Sequence, residues 1–305
     1  MSPLTPILDD FYADHTNHYH LVASDPMLCC TILTISSRYH TLPLPGGHSR
    51  GHLIHQRLWD HCQNLLMRIV LGQEKGSKAK TRTLGSIEAL LLLTEWQPRA
   101  LHVPSVADGW DSDAMLTHKD RRDHGGANVA NPSRGRWLED VIIPARRFDR
   151  MSSMVLGCAM TLANELGVFD PETQEDTLTD ASCEFDRRYS RRRTSIATLL
   201  YLYQEHLSSR LGLKSMMPQS ISHSIIPGGS LKSTSYENGE WSSFMTASTE
   251  LTKIVRSITD VLFPSPVITK HLLQSGRYIS MIEHFRSLLS NWEARYLKSP
   301  CKHTR

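Results

Sequence analysis

The chain has 305 residues, 40% of them hydrophobic, and 34 basic against 31 acidic residues leave a formal net charge of +3. That length supplies a sizeable core for one large or two small domains, and so small a charge excludes any argument from net charge for a nucleic-acid or anionic-membrane partner. The start, Met1-Ser2-Pro3-Leu4-Thr5-Pro6, lacks the basic-then-apolar order of a secretory signal, and no run reaches the roughly 20 apolar residues that cross a bilayer, so the expectation is a soluble, intracellular protein.

Residues 1–24 read as a lead-in and 25–297 as a helical domain. Asp25-Pro26 opens the first helix, a capping carboxylate followed by proline at the first helical position. Leu28, Ile32, Leu33 and Ile35 form its inner stripe, and it ends near Tyr39, before Pro43, Pro45 and Gly46. A second helix is predicted from about Gly51 to Val70, with Leu53, Ile54, Leu58, Cys62, Leu65, Leu66 and Ile69 at helical spacing and Gly72 as its stop.

The run from Thr83 to Leu101 is the most telling in the chain. Thr83 or Ser86 caps the first amides, Glu88 sits near the positive end of the helix dipole, and Pro98 stops the helix by Gln97. Ile87, Leu90 and Leu91 with Thr94 fall on one face while Leu92, Leu93 and Trp96 cover much of the rest, so this helix should lie between other helices in an all-α core.

Residues 104–135 are rich in Asp, Gly, Asn and Ser and read as a long loop. Helices follow over 136–166, broken near Pro144 and ended by Gly167 and Pro171. A long helix over 181–211 has a charged first half and an apolar second half built from Ile196, Leu199, Leu200, Leu202, Tyr203 and Leu207, so only the second half is expected to be buried. A Ser, Gly and Pro-rich loop over 215–238, helical spacing over 240–262 and 267–297, and a tail at 298–305 complete the chain. The fold class is all-α, a multi-helix bundle-like domain with long loops.

Four constellations are candidates for chemistry. Gly47-His48-Ser49-Arg50-Gly51 matches the G-x-S-x-G nucleophile elbow of serine hydrolases, but Pro43 and Pro45 cannot form the buried strand that must precede it, and His124-Gly125-Gly126 falls after the elbow where an oxyanion loop should come first. The better reading is a helix entry with Ser49 as a cap. His15, His18 and His20 and, separately, His52, His55 and His61 match no known metal-ligand set, which favours surface or packing roles. Arg187, Arg188, Arg191, Arg192 and Arg193 form the densest charge cluster, open to reading as a nuclear import signal, a phosphate-contacting face or a solvated helix surface. Asp176, Asp180, Glu184 and Asp186 offset its field and argue against a DNA face. Finally, Arg38, Arg99, Arg146, Arg147 and Arg210 sit at the edges of apolar runs, where a half-buried guanidinium has to be paired.

A family resemblance is carried by several blocks in order: Ser36-Ser37-Arg38-Tyr39-His40, the run from Thr83 to Leu101, Arg136-Trp137-Leu138-Glu139-Asp140, residues 151–160, Glu165-Leu166-Gly167-Val168-Phe169-Asp170, and Leu199-Leu200-Tyr201-Leu202-Tyr203 leading into Leu207-Ser208-Ser209-Arg210-Leu211-Gly212. Together they resemble the middle homology region of fungal zinc-cluster transcription factors. The residues that carry the likeness are structural: Arg38, Glu88, Trp96, Pro98, Arg99, Trp137, Leu138, Gly157, Glu165, Leu166 and Gly167.

The resemblance implies a helical regulatory and effector domain, in the nucleus, controlling a metabolic or secondary-metabolite gene set, with no catalytic residues. Trp96, Trp137, Tyr201 and Tyr203 are the aromatics expected to line any cavity between helices, with core packing as their ordinary role. The chain departs from the family at its cysteines. Cys29, Cys30, Cys62, Cys158, Cys183 and Cys301 are scattered, whereas a zinc cluster needs six closely spaced thiolates, so no zinc or other cofactor is expected in this chain and the sequence reads as a partial version of the regulator. It is then expected to act through the transcription machinery or a full-length regulator, as a homo- or heterodimer, with no membrane role. A hydrolase using Ser49 and a non-catalytic helical adaptor are the alternatives.

Overall fold

The computed structural model describes Ile7, Ile221 and residues 14–40, 42–43, 45–73, 81–99, 141–170, 184–218 and 238–297, without the side chains of 184–187 and 238–242. The loops predicted at 104–135 and over most of 215–238, with Trp137, Leu138 and the 298–305 tail, lie outside the described residues. Within them all regular structure is helical: α1 (His18–Ser24), α2 (Pro26–Tyr39), α3 (Gly47–Val70), α4 (Leu84–Glu95), α5 (Ile143–Glu165), α6 (Glu184–Leu211), α7 (Asn238–Leu262), α8 (Pro266–Ser275) and α9 (Tyr278–Tyr296).

Helix α4 is the hub, because an element apolar on every side gains most when it is surrounded. Every residue from Leu84 to Leu93 is buried, and α2, α5 and α6 pack around it. Each of its six large aliphatic side chains contributes about 1.5–3 kcal/mol on leaving water. Thr83 starts the helix, its Oγ1 accepting from the Ser86 amide at 3.2 Å, and Trp96 lies in extended backbone after the last turn. Gly85 has a packing reason: a Cβ there would lie 2.3 Å from the Asp25 carboxyl carbon, so only glycine lets the start of α2 come this close.

In α2 the buried stripe differs from the one expected. Met27, Leu28, Cys30, Thr31, Thr34 and Ile35 are inside, whereas Leu33 is 50% exposed. Two threonines go inside because their hydroxyls are satisfied there: Thr34 donates to the Cys30 carbonyl at 2.7 Å and Thr31 Oγ1 lies 3.5 Å from Cys62 Sγ. A second difference is at Asp25, which occupies the N-cap position but whose side chain caps nothing. Its carboxylate is taken up by an arginine of α6.

Helix α3 starts four residues before the expected Gly51, so Ser49 lies inside the helix rather than capping it, and Gly46, at φ 76°, makes the turn in. Its contact with α2 uses His55, Trp59, Cys62, Leu65 and Ile69, while Leu53 and Ile54 are 51% and 44% exposed. The apolar arc written in the sequence is wider than the single neighbour it packs on, and His55 and Trp59 win the inner positions. Gly72 ends the helix as predicted, the Gln73 amide donating to the Arg68 carbonyl at 3.0 Å and that of Gly72 to Ile69 at 3.4 Å.

Pro144 does not break a helix; it lies in the first turn of α5, where its missing amide hydrogen is not required. Gly167, at φ 64°, closes α5, with the Val168 amide on the Ala163 carbonyl at 2.9 Å. Gly157 meets only Met216 Cε, 3.7 Å from where a Cβ would sit, so packing does not demand glycine there. Helix α6 packs on α4, α5 and α7, and α9 packs in turn on α7, where Trp292 Nε1 donates to the Ala247 carbonyl at 2.9 Å. Gly276, at φ 69°, separates α8 from α9 within what the sequence presented as one helical stretch.

Truncating the hub should be costly and local. Leu91→Ala is expected to lower the unfolding free energy by about 2–5 kcal/mol in urea denaturation, whereas Leu289→Ala, on the open side of α9, should change it by less than about 0.5 kcal/mol.

Candidate functional site

Charged groups enter the core at three places, and each side chain is there because of the helix that carries it. The first is the start of α4. Glu88 is one turn into an apolar helix and is buried, so its carboxylate needs a cation; Asp25, at the start of α2, reaches the same spot. Arg192 of α6 serves both. Its Nε and Nη2 donate to Glu88 Oε1 and Oε2 at 3.0 and 2.6 Å, and its Nη1 and Nη2 lie 3.4 Å from Asp25 Oδ2. The three side chains are 14%, 5% and 6% exposed for Arg192, Glu88 and Asp25, so this is a buried, bidentate ionic cluster.

A second buried pair ties α6 to α7. Arg256 Nη1 lies 2.5 Å from Glu205 Oε1, and the Ser215 hydroxyl donates to the same oxygen at 2.6 Å. Burial nonetheless pushes the Glu205 carboxyl above its ordinary range.

The third entry of charge is at the other end of α2 and α4, in a narrow cleft with room for about one water. Its walls are the last turns of the two helices, the Trp96-Gln97-Pro98 segment and His55 of α3. His55 is held on both ring nitrogens: Nδ1 lies 3.0 Å from the Thr34 carbonyl and 3.1 Å from Ser37 Oγ, and Nε2 accepts from the Arg99 amide at 3.5 Å. Those bonds require the neutral ring with its proton on Nδ1, and burial, with Arg99 and Arg38 nearby, lowers its pKa. Tyr39 stands edge-on to Trp96 with centroids 5.4 Å apart, and the Arg38 guanidinium carbon lies 5.5 Å from the Tyr39 ring centre. Arg99 spans the edge of the cleft, from the Arg38 carbonyl at 3.5 Å to His52 Nδ1 at 3.2 Å.

The residues singled out from sequence therefore sort into two places. Arg38, Trp96, Pro98 and Arg99 meet at the cleft, and Glu88 joins the ionic cluster. Glu165 is exposed and pairs with Arg82, Leu166 and Gly167 form the end of α5, and Trp137 and Leu138 lie outside the described residues. The α6 arginines do not form one face. Arg192 points inward, Arg193 donates to the carbonyls of Val168 and Asp170 at the end of α5 at 3.4 and 2.5 Å, Arg191 is exposed and Arg188 half-buried; the side chain of Arg187 is not among those described. The charged first half of α6 is thus not simply solvated. Of the edge arginines, Arg210 pairs with Asp149 at 2.8 Å, while Arg38 has no carboxylate partner among the described residues.

Ser49 lies in the first turn of a helix, exposed, with no strand before it, so the elbow geometry is absent there; His124 lies outside the described residues. Among the described residues no three His, Cys, Asp or Glu side chains are grouped to hold a metal ion, His15 and His18 stack edge to face at 4.9 Å, and Cys29, Cys30, Cys62 and Cys158 are free thiols. No helix among them is long and apolar enough to cross a membrane.

Sequence reasoning named Asp25, Arg192 and His55, but as a cap, part of a charge cluster and part of a histidine group, and missed the buried contacts they make. A signal existed for the first two: a carboxylate inside an otherwise apolar helix, Glu88, implies a buried cation from elsewhere. For His55 no signal stood out, since it shares a face with exposed histidines.

The chain is 47% identical, over 303 residues and 98% of its length, to "Transcription factor hmgR" of Aspergillus fumigatus, of which it spans 40%. No protein-family profile and no solved structure matches it.

Two outcomes follow from this geometry. Arg192→Met removes the guanidinium that two buried carboxylates share and is expected to cost about 3–5 kcal/mol in chemical denaturation, against less than about 0.5 kcal/mol for Arg191→Met. A lowered His55 pKa means that the unfolded chain binds a proton that the native protein does not. Its contribution is therefore fully present above the ordinary value of 6.5 and is lost as pH falls through the lower folded value, and His206, also lowered by burial, acts in the same sense. Unfolding midpoints measured from pH 7.5 downward should fall, and His55→Gln should make that fall shallower.

Proposed function

We propose, from the premise that this chain belongs to the same family as the fungal transcription factor it matches, that it is a helical regulatory body of a transcription regulator. The observation that carries this reading is the 47% identity over 303 residues, which at that length preserves fold and core. The match covers two fifths of the relative, so the activity of a whole regulator is part of the proposal.

In this reading the protein acts in the nucleus, is not an enzyme, and exerts control through contacts with a complete zinc-cluster regulator or with the transcription machinery, as a homo- or heterodimer. The cysteines of these 305 residues are scattered, whereas a binuclear zinc cluster needs its thiolates close together, which supports reading this stretch as regulatory body. The exposed apolar side chains of Val267, Leu273 and Ile279 on α8 and α9 support a protein contact. The target gene set, on this reading, is metabolic or belongs to secondary metabolism.

A tethering experiment tests it. Fused to a heterologous DNA-binding domain, the chain should raise or lower reporter transcription beyond the level set by that domain alone, and a fluorescent fusion should accumulate in the nucleus. Reporter output equal to that of the bare domain, together with exclusion from the nucleus, would overturn the proposal and favour a non-catalytic adaptor outside transcription.

A further inference from the structure

The two flanks of helix α9 differ. Its inward side is set by Phe285, which is buried, and by Trp292, anchored to the Ala247 carbonyl of α7. At about 100° per residue, one flank beside that side carries Ser280, His284, Ser287 and Asn291, all exposed and polar. The other carries Ile282, Arg286, Leu289, Glu293 and Leu297 in a single stripe, because steps of three and four residues stay on one face. Ile282, Leu289 and Leu297 are 47%, 38% and 67% exposed. Aligned apolar side chains on one flank only, with charges set among them, are what a partner helix covers.

The order of the charges says which partner. The step from Ile282 to Arg286 equals the step from Glu293 to Leu297, so the stripe complements its own reverse. With a second copy laid antiparallel about a two-fold axis beside Leu289, Arg286 of each copy stands level with Glu293 of the other. Ile282 is then level with Leu297, and the two Leu289 side chains meet near the axis. The symmetry makes the ion pair and the Ile282–Leu297 contact twice. Other arrangements bring like charges together. In a parallel pair Arg286 faces Arg286 and Glu293 faces Glu293, and sliding the antiparallel pair by a turn either way puts one of these residues on the axis against its own copy. Arg286 is held only weakly on its own helix, since its contact with Glu283 spans 3.9 Å between side chains that are 76% and 67% exposed.

We propose that α9 is a homodimerisation helix, its Ile282–Leu297 stripe pairing antiparallel with the same stripe of a second copy. The inference deepens the proposed role as a regulator that works as a dimer, and rests on that reading for the purpose of the contact. The stripe is about 22 Å long at 1.5 Å per residue, so one helix from each copy makes an interface of the weak, transient class, with a Kd of about 50 μM. At the low micromolar concentrations of denaturation experiments the chain is then monomeric.

Sedimentation equilibrium of the whole 305-residue chain from about 5 to 500 μM tests it. The mass should climb from 34.6 kDa towards twice that value. Arg286→Glu and Glu293→Arg each set like charges opposite one another and should each weaken association about tenfold or more. The double variant, with both charges exchanged, should dimerise as the parent does, and an equimolar mixture of the two single variants should form a heterodimer. Asn291→Glu, on the polar flank, should change nothing. A chain that stays monomeric at 500 μM, a dimer indifferent to both single reversals, or weakening that neither the double variant nor the mixture restores would overturn the proposal. The reporter assay separates this from the wider reading: a monomeric chain that still alters transcription sinks the dimer alone, and a dimeric chain without effect on the reporter sinks the regulator alone.

Discussion

One guanidinium decides where three helices stand. Arg192 of α6 holds Glu88 of α4 through two bonds and Asp25 at the start of α2, although these residues are separated by 104 and 167 positions in the chain. Its desolvation is repaid only if both carboxylates arrive, so sliding any one helix along another would leave a charge stranded in the interior. Gly85 is the steric half of the same constraint, because it opens the space into which the Asp25 carboxyl fits. The hydrophobic hub supplies most of the driving force, but a helix apolar on all sides can be surrounded in several ways. The ionic cluster selects one of them.

That selection has a consequence at the far end. Asp25 and Gly85 bring the N-termini of α2 and α4 together, and the Tyr39–Trp96 contact brings their C-termini together, so the two helices run parallel. Carboxylates then lie at both N-terminal ends and arginines at both C-terminal ends, each where the helix dipole favours it. The cluster fixes one end of this pair; at the other the helices part around the cleft, where Arg38 and Trp96 present unsatisfied donors.

Much of the fold was legible in the residues. The all-α class, the apolar all-round character of α4 and the glycine stops at Gly72 and Gly167 followed from periodicity and turn chemistry. The cap of α4 was narrowed to Thr83 or Ser86, and the structure uses Thr83. Less legible was which part of a wide apolar arc would be inside. Leu33, Leu53 and Ile54 face outward, while Thr31, Thr34 and His55 face inward, because a helix buries only the sector its neighbours cover and polar groups can go there once bonded. Asp25 was misread for a related reason: Asp-Pro at a helix start signals a cap, but a distant arginine offers a carboxylate more than a local amide does.

The sequence by itself determined the local features: helices, their ends, the hub, and a likeness among blocks to fungal transcription regulators. These depend on interactions within a few residues, or on average hydrophobicity, and both can be read from order along the chain. Tertiary structure alone decided the pairing of Arg192 with two carboxylates, the scattering of the other α6 arginines onto different surroundings, and the meeting of Arg38, His55, Trp96 and Arg99 at one cleft. Such partners are matched by charge and distance in three dimensions, and nothing in the linear order of the residues says which distant carboxylate a given guanidinium will reach.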